Sequence, residues 1–365
     1  MTEPTQPEGP AVQSTAGPSG TPDVAHPSVV TALARVRRLR GLVLLVMVAV
    51  LLVTAWMSVA IGSRSVGLDD VWAGITGDVD GFDQAAVAKR VPRTALAMVA
   101  GAALAVSGLV MQAVTRNPLA DPGILGVNAG ASLAVAVGIA WFGLTQPTSF
   151  IWVAIAGAAV TAVTVYVIGS MGRGGPTPLK LALAGAAFTV ALTAMVSAVV
   201  LPRQDIGLNV VSWQIGGVGG ATEAVLLHVL PFLAVGFVVV WAVSRGLNLL
   251  GLGDEVAASL GERVWITRVV ASAAAVVLCG ATTAVAGPIG FVGLVVPHFF
   301  RLLIGIDHRW LVPFSALGGA VLLTASDVLG RVVTPPAELD VGIITALVGA
   351  PFFIAIVRRN KVREL

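Results

Sequence analysis

Ten stretches of about 20 mostly apolar residues run along the chain, near 41–62, 92–114, 124–142, 150–170, 180–201, 224–244, 265–286, 289–305, 310–329 and 341–357. Wound as helix, each is long enough to cross a hydrocarbon core about 30 Å thick. The pattern predicts an all-α polytopic membrane protein with about ten transmembrane helices. An even number of spans puts both termini on one side. The first run follows Arg35, Arg37, Arg38 and Arg40, too late and too long for a cleaved secretory signal, so it is read as a span that stays attached. Residues 1–30, rich in Pro, Thr, Ser and Gly, cannot repay the entropy of folding and are expected to form a disordered tail. Residues 31–365 then form the transmembrane domain.

Composition agrees with the pattern. Of 365 residues 56% are apolar and 11% charged, against about 25% charged in a soluble domain. Only a chain with lipid as its outer solvent can carry so little polar surface. The net charge of +3 is read as a record of orientation rather than as a sign of a nucleic-acid partner. One side of the predicted bundle gathers the N-terminal arginines, Arg116, Arg173, Lys180, Arg245, Arg263, Arg268, Arg301, Arg309 and the basic C-terminus. By the positive-inside rule that side is cytoplasmic. The other side mixes Arg64, Lys89, Arg90, Arg93, Arg203 and Arg331 with Asp69, Asp70, Asp78, Asp80 and Asp83.

Small residues mark where helices meet. Gly101, Ala105 and Gly108 share one helix face, and Gly126 and Gly130 form a GxxxG pair. Gly101–Gly108 (GAALAVSG) returns 179 residues later as Gly280–Gly287 (GATTAVAG). The span count makes these two helices run in opposite directions, as in the inverted repeats of transporters.

Candidate chemistry is sparse. The spans hold almost no ionisable residue of the kind that binds a coupling ion. Asp327 and Arg331 lie near one span end, and His228 and His298 are read as packed or interfacial side chains. No HExxH or GxSxG motif occurs, and residues 172–180 lack the Gly-Lys-Ser/Thr ending of a phosphate-binding loop. The lone Cys279 lies in an apolar run and is read as a small buried residue. No metal site, no cofactor and no catalytic residue is expected, so the energy for any transport comes from elsewhere.

The loop at about 247–264 is the most informative. Leu252, Gly253, Asp254, Glu255, Val256, Ala257, Ala258, Ser259, Leu260 and Gly261 read as a short helix. Its acidic start favours a helix N-terminus, and its glycine end stops the helix. Its apolar edge suits either a soluble partner or the membrane surface.

Several longer motifs follow in order: Arg90-Val-Pro-Arg93, Asn117-Pro-Leu-Ala-Asp-Pro-Gly-Ile-Leu-Gly126, the 252–261 loop, Gly287-Pro-Ile-Gly-Phe-Val-Gly-Leu-Val-Val-Pro-His298, and Glu338 through Pro351. From about Arg90 to the C-terminus the chain resembles the FecCD-type permeases, membrane subunits of ATP-binding-cassette importers for iron-siderophores, haem and cobalamin. The resemblance implies a type II importer permease fold and a second permease subunit, the same or a related chain, with the pathway between the two. It also implies two cytoplasmic ATPase subunits that bind ATP and Mg, and an extracytoplasmic substrate-binding protein. It places ATPase coupling on Leu252–Gly261, binding-protein docking on Arg90, Arg93 and Arg331, and the cytoplasmic gate near Thr177. The alternative from a different class is an ion-coupled secondary transporter acting without an ATPase.

Overall fold

The computed structural model describes residues 27–62, 66–77, 81–144, 147–171 and 178–361. Each of the ten apolar runs lies in its own helix: α1 (Pro27–Ala60), α3 (Phe82–Thr115), α4 (Val127–Phe142), α5 (Pro147–Ser170), α6 (Pro178–Val200), α8 (Glu223–Leu250), α10 (Val264–Ala286), α11 (Val292–Ile304), α12 (His308–Val333) and α13 (Val341–Lys361). Three short helices join them: α2 (Leu68–Thr76), α7 (Gln204–Ile215) and α9 (Asp254–Ser259). Seven of the ten helices are long and apolar enough to cross a membrane by themselves, and α4, α11 and the first part of α13 are shorter apolar helices. Residues 1–42 and 43–365 form separate units. The described part of the first is the opening of α1, which starts at Pro27 inside the expected tail; residues 1–26 lie outside the described residues.

Which helices form the centre follows from burial. In α3, 78% of the most apolar stretch is buried, and in α10 and α12 67%, against 6% in α1 and 17% in α6. The last two therefore leave most of their surface outside the bundle. Proline stands inside α3, α8, α11, α12 and α13. Within a bundle, neighbouring helices and side chains can satisfy the carbonyl that each proline leaves free.

Lipid tails are as apolar as leucine, so helices are held by close contact rather than by the hydrophobic effect. Glycines make that contact here. A Cβ on Gly101 would stand 2.2 Å from the Gly319 carbonyl oxygen of α12, and one on Gly108 2.1 Å from that of Gly293 in α11. Ala105 packs beside Gly319. Gly130 in α4 meets Gly157 and Thr161 of α5, and Gly280 in α10 meets Ile155 and Ala158 of the same helix. Two glycines of the predicted packing set stand elsewhere. Gly126 precedes α4 and ends a 3-10 turn at Pro122–Leu125. Gly287 caps α10 with φ 69°, pressed on the Trp213 carbonyl. Both its positive φ and this close approach to α7 ask for glycine there.

The packing pattern itself repeats. Helix α3 packs on α11 and α12, while α10 packs on α4 and α5. Within each half the next three helices contact one another, α4 with α5 and α6, and α11 with α12 and α13. The halves thus exchange partners: the glycine helix of each is buried in the other.

Gly108→Ala is expected to lower stability by about 2–3 kcal/mol, because two backbones must separate to admit the methyl group. Gly220→Ala, where nothing lies within 4 Å, should change it by less than about 0.5 kcal/mol. Thermal unfolding in detergent reads both, and equal shifts would contradict the backbone-contact account.

Candidate functional site

Polar side chains collect at the two ends of α3. At its start, Arg93 sends Nε and Nη2 to Asp327 Oδ1 of α12, at 3.1 and 2.8 Å, and Nη1 to Glu338 at 2.7 Å. Arg331 pairs with the other oxygen of Asp327 at 2.9 Å. It also donates to the Ser58 carbonyl at 2.8 Å, the Ile61 carbonyl at 3.0 Å and the Ser58 hydroxyl at 2.8 Å. Arg90 donates to the carbonyls of Val59 and Ala60 at 3.2 and 3.1 Å. The last turn of α1 therefore ends on two guanidinium groups, which satisfy orphan carbonyls and complement the negative end of the helix dipole.

The three arginines expected to dock a partner thus come together, but mostly inward. Arg331 is 1% exposed and Arg90 8%. Of the cluster, Arg93 (16% side-chain exposure) and above all Glu338 (35%) reach the surface. Ser58 has no sequence signal: it meets Thr94 at 2.7 Å and Arg331 from 273 residues away. Glu338 stands in the sequence only as the start of a motif, and Arg93 reaches it from 245 residues away.

At the other end, α3 stops at Arg116, whose φ of 50° breaks the helix. Its Nε donates to the Leu250 carbonyl at the end of α8 at 2.9 Å, and its Nη2 pairs with Asp254, the first residue of α9. Arg268 of α10 donates to both Asp254 oxygens at 3.0 and 3.3 Å. Glu262, past the end of α9, accepts from the Thr267 hydroxyl. Ala257 is buried, whereas Leu252, Val256 and Leu260 are 59%, 46% and 59% exposed. The acidic pair is thereby split: Asp254 is engaged by arginines, and Glu255 is exposed. What remains on the open side of α9 is an apolar edge.

The 117–126 segment between α3 and α4 is a folded turn. Asn117 Oδ1 accepts from Leu119 N, and Asp121 Oδ1 from Gly123 N at 2.8 Å. Burial pushes the Asp121 carboxyl up to about 6, the Gly123 amide opposing it. Near it the buried Cys279 donates to Asn128 Oδ1, as does Thr283. A further feature is an open apolar groove of about 580 Å³ along α13, lined by Ile215, Gly342, Ile343, Ala346, Leu347, Ala350 and Pro351. His228 bonds the Ala224 carbonyl of its own helix, and His298 stands edge-on to Phe352 at 6.2 Å. Among the described residues, no group of three or more His, Cys, Asp or Glu could hold a metal ion. Thr177, the expected gate, lies outside the described residues.

Ten apolar helices packed in two interlocked halves, with three short helices between them among the described residues, define a polytopic membrane protein. The chain belongs to the FecCD transport family, whose family model matches residues 50–359. It is 40% identical over 334 residues to the ferric enterobactin transport system permease protein FepD of Escherichia coli, covering 90% of this chain and 97% of that one. It is also 40% identical over 323 residues to the iron(3+)-hydroxamate import system permease protein FhuB of Bacillus subtilis, covering 88% of this chain and 84% of that one. Among solved structures, a metal-chelate type ABC transporter in an inward-facing conformation superposes with a TM-score of 0.74 at 27% identity, covering 87% of this chain and 99% of that one.

Arg331→Gln is expected to cost about 3–5 kcal/mol, because it removes one partner of a buried pair and uncaps α1. Thermal unfolding in detergent checks this. An unchanged midpoint would show that the cluster does not hold α1, α3 and α12 together.

Proposed function

We propose that this chain is the membrane-spanning subunit of an ATP-binding-cassette importer whose cargo is an iron-siderophore. The observation that carries the reading is the family match across nearly all the spans, with siderophore permeases among the relatives. Both termini and α9 face the cytoplasm, in keeping with the basic residues on that side. Two ATPase subunits bind ATP and Mg and engage the apolar edge of α9. The permease works as a pair, and the groove along α13 faces the pathway between the two subunits. ATP binding draws the ATPases together, and the spans rock so that the pathway opens to each side in turn. A substrate-binding protein docks on the opposite face and selects the cargo. There it meets Arg93 and Glu338 rather than the buried Arg331.

The test is reconstitution with the cognate ATPase and binding protein in proteoliposomes. Uptake of ferric siderophore should require ATP and all three components and should withstand ionophores; haem and cobalamin are measured alongside. Preference for haem or cobalamin would overturn the cargo. Uptake without the ATPase that collapses with the ion gradient would overturn the importer reading. In the same vesicles Arg93→Glu should weaken binding-protein docking, more at low salt than at high, because exposed charges are screened; docking unchanged at low salt would remove Arg93 from that surface.

A further inference from the structure

We propose that Arg116 and Arg268 are positioning residues that lock α9 to α3 and α10, so that displacement of α9 is passed directly to the two central helices of the bundle. The inference rests on the reading of α9 as the ATPase contact.

Two observations carry it. First, one guanidinium spans the joint between α8 and α9. Arg116 holds the last carbonyl of α8 with Nε and the first residue of α9 with Nη2. Between those points lies Gly251-Leu252-Gly253, where Gly253 has φ 111° and nothing within 4 Å of a Cβ. Backbone bonds close the turn, from Leu252 N to the Leu249 carbonyl at 3.0 Å and from Gly253 N to the Leu250 carbonyl at 3.3 Å, and Arg116 adds a side-chain bridge across it. Second, the carboxylate of Asp254 is shared: Arg268 approaches from α10 while Arg116 approaches from the end of α3. The far side of α9 is fastened too, through Glu262 between α9 and α10: its amide donates to the Ala257 carbonyl of α9 at 3.0 Å, and its carboxylate accepts from the Thr267 hydroxyl in the first turn of α10. A six-residue helix has too few contacts of its own to push on anything. Tied at both ends, it moves with α3 and α10.

The helices it is tied to are the ones that matter for the opposite face. Arg116 caps α3 at one end, and Arg93 stands 23 residues earlier in the same helix. The clamp and the Arg93–Asp327–Glu338 cluster are thus joined by a single rigid element about 35 Å long. Half-exposed ion pairs add little to fold stability. The arginines of the clamp therefore serve geometry more than stability, and they can be removed from a protein that still folds.

The experiment uses the full transporter, wild type against Arg116→Gln/Arg268→Gln, with ⁵⁵Fe-labelled ferric trihydroxamate as the transported probe. Three quantities are read: co-purification of the ATPase, its ATP hydrolysis rate, and iron taken up per ATP hydrolysed. The double variant should keep the ATPase and hydrolyse within about twofold of wild type, while iron per ATP falls about tenfold. Arg116→Lys/Arg268→Lys, which keeps both charges, should recover much of that loss. If the double variant does not fold, Arg268→Gln alone, which leaves the α8–α9 bridge in place, is read in the same way. An unchanged iron-to-ATP ratio would overturn the inference. So would loss of ATPase association, since the arginines would then be contacting the partner. A wild-type complex that retains no ATPase would instead overturn the importer reading itself.

Discussion

Because lipid supplies no hydrophobic force between helices, this fold depends on how closely backbones can approach. Close approaches stand where α3 crosses α12 and α11, at Gly101 against Gly319 and Gly108 against Gly293. There two helix backbones touch through carbonyls with no side chain between them. The most buried span is therefore also the stiffest to displace, and the rest of the bundle is arranged around it. Helices with larger apolar faces, such as α1 and α6, turn them outward to lipid.

The same helix organises the charges. Polar groups are scarce within the membrane because each must be paired there, and here they collect at the two ends of α3. At one end Arg90 and Arg331 close over the last turn of α1, and Arg93 pairs with Asp327 and Glu338 beside them. At the other Arg116 grips the joint between α8 and α9. One cluster holds the fold together through buried pairs. The other, half exposed, fixes the direction of a short helix. Their difference in burial explains why similar arginines serve such different ends.

The membrane spans were legible because an apolar run of fixed length has only one stable fate in a bilayer. Their ends were less so. Helix α3 begins ten residues before the run that starts at Pro92, α8 continues to Leu250, and α12 to Val333. These extensions contain Arg90, Asn248 and Arg331, polar residues that hydropathy reads as loop. They remain helical because partners from distant parts of the chain satisfy them, and nothing local announces those partners. The α9 loop was readable in outline from its acidic start and its glycines. That Asp254 would be engaged by arginines and Glu255 left exposed was not, since Arg116 is 138 residues away. Gly287 looked like a packing residue by its place in the repeat, and only its backbone conformation shows it to be a cap.

The account turns on α9 being the place where the ATPase takes hold. The single native cysteine, Cys279, is buried, so Val256→Cys places a thiol on the exposed edge with little background. In the assembled transporter that thiol should cross-link to the ATPase subunit in a nucleotide-dependent way and be shielded from a membrane-impermeant maleimide. Full labelling with no cross-link, in a complex that still transports, would contradict it.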